Sequence, residues 1–329
     1  MSKFADFRIG CAVWAYKDWL GDFYPTGSRA TNFLRLYGER MTCVEGNTTF
    51  YSVPTPETVQ RWADNTPETF RFCPKLPRAV THGGALMPQL SEALDFLTLM
   101  QGLGPRLGPI FAQLPPRYSP AAFADFETFV ASWPHPKNPL AVEVRHLDWF
   151  KSPQADRLDA LLTQFGVGRV LLDTRPIFTW SNPANDPQLR SERKKPRVPL
   201  RPTATANVVL VRYISHPELD KNRDFLAGWV ERVGEWLTQG LTVYFFVHCP
   251  DETQSPAIAR YFQMQLEKAG IDVPPLPWSL LESPPQQLGL FSLLLTPEGT
   301  VVPVPEPGVV SALALFGLSA LGFRKRLSL

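Results

Sequence analysis

The sequence predicts a closed eight-stranded parallel (β/α)8 barrel of the TIM type, and three observations carry that expectation. The chain has 329 residues, 44% of them hydrophobic and 19% charged, which is enough to bury one large core. A barrel of this kind commonly takes about 250 residues as a single domain. Eight short apolar or β-branched runs recur along the chain, and helix signals stand between most of them. Continuous apolar runs suit strands buried on both faces of a parallel sheet. Regular strand–helix alternation then closes most simply as a barrel. An open doubly wound sheet is the alternative, but no GxGxxG follows the first run.

The first run, Phe7–Val13, leads into an aromatic loop, WAYKDWLGDFYP (Trp14–Pro25). Its Trp14, Tyr16, Trp19 and Tyr24 suit either a packing plug or a stacking platform for a sugar or base. The second run, Thr42–Gly46, delivers Glu45 and then Asn47; the third, Phe70–Pro74, delivers Lys75. Apolar residues at helical spacing in Leu90–Gln101 precede the fourth run, Gly108–Leu114, which ends near Gln113. Ser119-Pro120, Ser152-Pro153 and Ser255-Pro256 each place a capping hydroxyl before a proline suited to a first helical turn. The fifth run, Leu140–Arg145, carries Glu143 and Arg145 with His146 beyond, and the sixth, Val167–Asp173, ends on Asp173. The seventh, Val208–Tyr213, closes on Arg212 and Tyr213. After the helical pattern Phe225–Gln239, the eighth, Leu241–His248, closes on His248.

The crossover after the sixth run breaks the pattern. Thr174–Asn207 is proline-rich and contains RSERKKPRVPLR (Arg190–Arg201), with six basic residues against one acidic. It follows a strand, so in a barrel it emerges at the C-terminal face. It is either a solvated charge run or a loop that grips an anion.

In a barrel the last residues of the strands share one pocket. Seven of the eight runs finish on a hydrogen-bonding or ionisable residue. Any one could be a structural ion pair; the convergence points to a pocket mixing carboxylates with cations. Glu45, Glu143, Asp173 and His248 are the candidate catalytic groups. Trp14, Tyr16, Asn47, Lys75, Gln113, Arg145, His146, Arg212 and Tyr213 are candidates for binding substrate. Lys75, Arg145 and Arg212 would grip phosphate or carboxylate while Glu143 or Glu45 transfers a proton. This is acid–base chemistry of hydrolase, lyase or isomerase type on an anionic small molecule or sugar. A divalent metal ranks lower, because three cations in one mouth oppose it and the histidines lack HxH or HExxH spacing. No cofactor is expected. GxSxG and Walker motifs are absent, which excludes the common serine-hydrolase and nucleotide-triphosphatase patterns.

A net charge of +2 sets up no whole-molecule field for a polyanion. Cys11, Cys43, Cys73 and Cys249 form no CxxC pair and read as reduced, buried hydrophobes. The start, MSKFADFRIG, has no apolar signal core, so a cytoplasmic protein is expected.

Several stretches resemble the YecE-like family, domain of unknown function 72: WAYKDWLGDFYP, VEGNTTFYSVP (Val44–Pro54), TPETFRFCPKLPRAVTH (Thr66–His82), GPIFAQLPP (Gly108–Pro116), AVEVRHLDWF (Ala141–Phe150) and LVRYI (Leu210–Ile214). The resemblance runs from Gly10 to about Phe291. It implies a (β/α) barrel similar to those of apurinic endonucleases and sugar isomerases, and with it phosphate or nucleic-acid substrates by analogy. Gly46 departs from the family pattern, where a larger residue is expected, and a looser end to the second strand follows.

The barrel domain is expected over 1–291, with a proline-rich strap after Ile271, and a separate tail over 292–329. The tail, with Pro303–Pro307, apolar Gly308–Phe323 and a basic end, resembles a PEP-type sorting signal. Its apolar segment is shorter than the ~20 residues that span a bilayer, so it reads as a gene-boundary accident or a weak membrane anchor. Gln287, Leu288, Leu290 and Phe291 resemble a peptide that docks on the replication sliding clamp, or else a strap packed on the barrel. Clamp binding would favour a nucleic-acid-processing role; an anchoring tail would favour a membrane-tethered binding protein.

Overall fold

The computed structural model describes residues 6–180 and 195–282. Its strands follow the predicted order: β1 Phe7–Cys11, β2 Cys43–Gly46, β3 Arg71–Pro74, β4 Ile110–Gln113, β5 Leu140–Glu143, β6 Gly168–Asp173, β7 Val208–Ile214 and β8 Thr242–His248. All paired strands are parallel. Six form a curled sheet in the order β1-β8-β7-β6-β5-β4, and β2 pairs with β3 in a separate two-stranded sheet. The closed eight-stranded barrel expected from the sequence is therefore not shown: the strands form a six-stranded and a two-stranded parallel sheet.

The reason lies in how the two sheets meet. Between β1 and the start of β2 one backbone bond remains, from Thr42 N to Ile9 O at 3.1 Å, and side chains make the other links. Thr42 Oγ1 accepts from Ile9 N at 2.7 Å, and the Tyr37 hydroxyl accepts from Cys11 N at 2.6 Å while donating to Cys43 O at 3.1 Å. Asn47 Nδ2 donates to Ala12 O at 3.1 Å. Tyr37 comes from helix α1 (Phe33–Gly38), and its insertion needs Gly10. A Cβ there would fall 1.8 Å from Cys43 O and 2.9 Å from the tyrosine oxygen. Between β3 and β4 only isolated bridges, Phe72 with Leu107 and Lys75 with Phe111, link the strands. Gly46 does not loosen β2. A Cβ there would lie 3.0 Å from Pro74 Cα, so the small residue lets the two strand ends approach closely.

The two-residue period of the strands builds the interior in layers. Cys43, Cys73, Phe111, Ala141, Val170, Leu210 and Phe246, with Tyr244, form one buried apolar cluster. Two residues further along the same strands come Glu45, Lys75, Gln113, Glu143, Leu172, Arg212 and His248, all buried. A polar layer thus rests on an apolar floor. All four cysteines are free and buried, and burial pushes each thiol up.

Helices cover the outer faces. The ones needed below are α2 (Thr48–Tyr51), α3 (Pro56–Asp64), α4 (Arg78–His82), α5 (Leu90–Met100), α6 (Phe123–Ser132), α7 (Gln154–Phe165), α8 (Arg175–Thr179) and α9 (Arg223–Thr238). Ser119 caps the turn that leads into α6, as its sequence suggests. Ser152 instead hydrogen-bonds Asp156, and Ser255 is already inside its helix. Among the described residues no helix is long and apolar enough to cross a membrane. The described end of the basic crossover folds back onto the protein. Arg201 pairs with Asp156 and Asp159 of α7, and Arg197 lies over the Phe178 ring. The tail and the peptide Gln287, Leu288, Leu290, Phe291 lie outside the described residues.

Candidate functional site

At the centre of the polar layer, Arg212 of β7 is clamped between two carboxylates. Its Nε and Nη2 donate to the two oxygens of Glu45 at 2.8 and 2.9 Å, and its Nη1 donates to Glu143 Oε2 at 2.6 Å. Glu143 Oε1 also accepts from Arg145 Nε at 2.5 Å and Gln113 Nε2 at 2.9 Å. Glu45 Oε2 lies 2.8 Å from His248 Nε2. With Glu45 ionised, His248 donates from Nε2. Five strands, β2, β4, β5, β7 and β8, hold these groups.

The electrostatics follow from the pairing. Burial alone would raise both carboxyls, but Arg212 and His248 hold Glu45 well below the usual range. Arg145, Arg212 and Lys75 likewise bring Glu143 down to about 2. Burial lowers the Arg212 guanidinium less than Glu143 and Glu45 raise it. Burial, with Arg212 nearby, outweighs the pull of Glu45 and brings His248 to about 4. Both glutamates are therefore anions, and each of their oxygens accepts at least one hydrogen bond.

Lys75 stands apart. Its Nζ touches Asn47 Oδ1 at 3.2 Å and sits 4.9 Å and 5.1 Å from the Phe50 and Phe111 ring centres. Among the described residues it makes no ion pair. Burial, reinforced by Arg212, pushes it down to about 7 against the opposing pull of Glu45 and Glu143.

Some predicted residues face elsewhere. Asp173 and Tyr213 are paired in register and have the opposite parity to Leu172 and Arg212, so they point outward to the helices. Asp173 binds Arg175 through both oxygens, at 2.9 and 2.8 Å, and accepts from Trp229 Nε1 of α9 at 2.8 Å. The Tyr213 hydroxyl meets Asn222 Oδ1 at 3.0 Å. His146 caps a short turn, its Nδ1 accepting from Asp148 N. Trp14 packs edge-on against Trp62 of α3 and against Phe72, and Tyr16 packs on Trp19. Both sit in the aromatic plug. None of these five belongs to the Arg212 cluster, and Asn47 bonds Lys75 and Ala12 O rather than the cluster itself.

The sequence reading missed a cationic arc beside Lys75. His82 of α4 is half-buried, and burial followed by Arg145, Arg117, Arg78 and Lys75 brings it down to about 4. Arg117 also donates to the His82 carbonyl. Phe50 of α2 touches both His82, 5.0 Å between ring centres, and Lys75, whose nitrogen lies over its ring. Among the described residues neither Arg78 nor Arg117 pairs with a carboxylate. Their signal was available as basic residues within a few positions of the β3 and β4 ends. The segments that follow β1, β2, β5 and β6 expose Leu20, Tyr51, Val53, Leu147 and Trp180, most of the large apolar side chains the described surface leaves open. Among the described residues no group of three or more His, Cys, Asp or Glu is arranged to hold a metal ion.

Comparison with known proteins places this architecture. YecE of Escherichia coli K12 is 34% identical over 284 residues, covering 86% of this chain and 99% of YecE. YunF of Bacillus subtilis strain 168 is 26% identical over 153 residues, 44% of this chain and 52% of YunF. Crystal structures of DUF72 family proteins share the fold. The one from Thermotoga maritima has a TM-score of 0.57 at 20% identity, covering 80% of this chain and 98% of its own. The one from Enterococcus faecalis has a TM-score of 0.56 at 18% identity, covering 80% and 94%. The family described as protein of unknown function DUF72 matches residues 8–281, and the chain belongs to that family.

Proposed function

We propose that the chain binds a phosphorylated or otherwise anionic small molecule or sugar at the C-terminal ends of its strands and acts on it by acid–base chemistry. We read the two sheets as arcs of one eight-stranded barrel wall. Glu45 of β2 bonding to Arg212 of β7 supports that reading, as does the layer to which seven strands each contribute a side chain. The observation that carries the functional reading is the charge count. Arg212 and Arg145 already balance Glu45 and Glu143, leaving Lys75, Arg78 and Arg117 as surplus cations at one side of the mouth. Surplus cations beside a low-dielectric interior favour an anionic ligand. Glu45 and Glu143 then serve to orient Arg212, and proton transfer falls to Lys75 and His248, whose protonated forms are held less tightly.

Calorimetric titration with inorganic phosphate tests this at low salt. The wild type should bind, and Arg78→Ala combined with Arg117→Ala should weaken binding about tenfold, the effect of roughly 1.4 kcal/mol. Absence of phosphate binding by the wild type overturns the reading. A second reading, a nucleic-acid ligand, is favoured by Tyr51, 81% exposed, and Trp180, 40% exposed, on which bases could stack. A steep salt dependence of oligonucleotide binding, lost in Tyr51→Ala with Trp180→Ala, would select it.

A further inference from the structure

We propose that Lys75 is a nucleophilic amine that forms an imine with an aldehyde or ketone carrying a phosphate. This rests on the anionic-ligand reading above and adds the reacting group and the substrate class. The argument begins with the geometry of a buried layer. Lys75 is 5% exposed, and its nitrogen lies between two phenyl rings with one hydrogen-bond partner, the amide oxygen of Asn47. An ammonium has three donors to satisfy, and one neutral acceptor is a poor shell for it. The nearest carboxylates act on it only through space, because both direct their hydrogen bonds elsewhere. Glu45 holds Arg212 and His248, and Glu143 holds Arg212, Arg145 and Gln113.

The groups facing Lys75 from the surrounding elements are Glu45, Glu143, Arg145 and Arg212 from strands and His82 from α4. Two carboxylates and two guanidiniums cancel, and His82, like His248 on Glu45, is lowered and so neutral near pH 7. A proton on Lys75 is one positive charge more than the layer balances, so the amine readily gives it up and keeps its lone pair. Burial of the nitrogen acts in the same direction and outweighs the attraction of the Phe50 and Phe111 ring faces for an ammonium.

The chemistry balances within the two reactants. The amine nitrogen attacks the carbonyl carbon to give a carbinolamine. The C–O bond then breaks, and the oxygen leaves as water with the two protons that nitrogen gave up. A C=N bond remains. A protonated imine would again be a surplus charge, and a substrate phosphate on Arg78, Arg117 and Arg145 supplies the compensating anion. That is why the carbonyl compound should carry a phosphate.

Reductive trapping tests the proposal on the full-length chain. Dihydroxyacetone phosphate, or phosphate-free dihydroxyacetone, is added with cyanoborohydride, and modified lysines are located by peptide mass spectrometry. Lys75 should be labelled at least tenfold faster than the exposed Lys151, with the rate rising through a midpoint near pH 7 rather than near the ordinary lysine value. Labelling should favour the phosphorylated probe, and inorganic phosphate should slow it. Lys75→Met should remove this label while Lys151 still reacts. Wild-type peptide mapping gives the answer even if that variant fails to fold. If Lys75 is labelled no faster than Lys151 while inorganic phosphate still binds, the imine proposal fails and the anionic-ligand reading survives. Fast labelling of Lys75 with no preference for the phosphorylated probe keeps the nucleophile and overturns the phosphate requirement. Failure of both labelling and phosphate binding overturns both.

Discussion

Two halves of one polar layer contrast. On the β2, β5 and β7 side, Glu45, Glu143, Arg212 and Arg145 form a closed network in which every carboxylate oxygen has a charged partner. On the β3 and β4 side, Lys75, Arg78 and Arg117 face His82 and the Phe50 ring, with no carboxylate paired to them among the described residues. The first half is balanced and saturated, as a structural ion pair must be to survive burial. The second half is unbalanced, and unbalanced charge at a strand-end mouth is what a ligand can compensate. Function should therefore be sought in the half that contributes least to holding the fold.

The largest effect should come from breaking the closed half. Arg212→Ala leaves two buried carboxylates facing each other and should destabilise the fold by about 3–5 kcal/mol, measured by urea denaturation. Arg212→Lys should recover only part of that, since an ammonium cannot reproduce the forked contact with Glu45. A change below about 1 kcal/mol for the alanine variant would show that the network is not structural.

A pH series gives the next effect. His248 titrates at 6.5 when unfolded and at about 4 when folded, so the unfolded chain binds more protons between these values. Stability should fall as pH drops through that window, by about 3 kcal/mol for a fully buried group. His82 has the same sign but is half-exposed and contributes less. The glutamates add their own loss only below 4.5, the usual glutamate value, as pH falls toward the folded value of about 2 for Glu143. Comparing wild type with His248→Gln between pH 6.5 and 4.5 isolates the histidine, and the variant's profile should be flatter.

The smallest stability effect belongs to the open half. Arg78→Ala and Arg117→Ala should each change stability by no more than about 0.5 kcal/mol, as exposed residues without ion pairs do. A large loss of stability in either would erase the contrast between the halves.

Much of the fold was legible. Apolar runs marked every strand to within a few residues, because strands buried on both faces need such runs. The stacking of the polar layer on its floor was legible too, since Cys43 and Glu45, Phe111 and Gln113, or Leu210 and Arg212 are each two residues apart. Asp173, Tyr213 and His146 lie apart from the Arg212 cluster, because a strand end marks the inner layer only at the parity that faces in. Tyr213 follows inward-facing Arg212 and so must face out. What no local pattern discloses is pairing across the chain. Arg212 meets Glu45 from 167 positions away, and no local pattern announces that a buried guanidinium occupies that carboxylate. The substitution of side-chain bonds from Thr42, Tyr37 and Asn47 for ladder bonds beside β1 was hidden for the same reason.

The most direct test of the division between the halves is a crystal structure of the protein with a heavy tetrahedral oxyanion such as tungstate, located by its anomalous signal. The expected position is beside Lys75, within reach of Arg78 and Arg117, with the bonds of Arg212 to Glu45 and Glu143 unchanged. An anion that instead displaces Glu45 or Glu143 from Arg212, or that binds only around Arg197 and Arg201, would contradict the assignment of ligand binding to the open half.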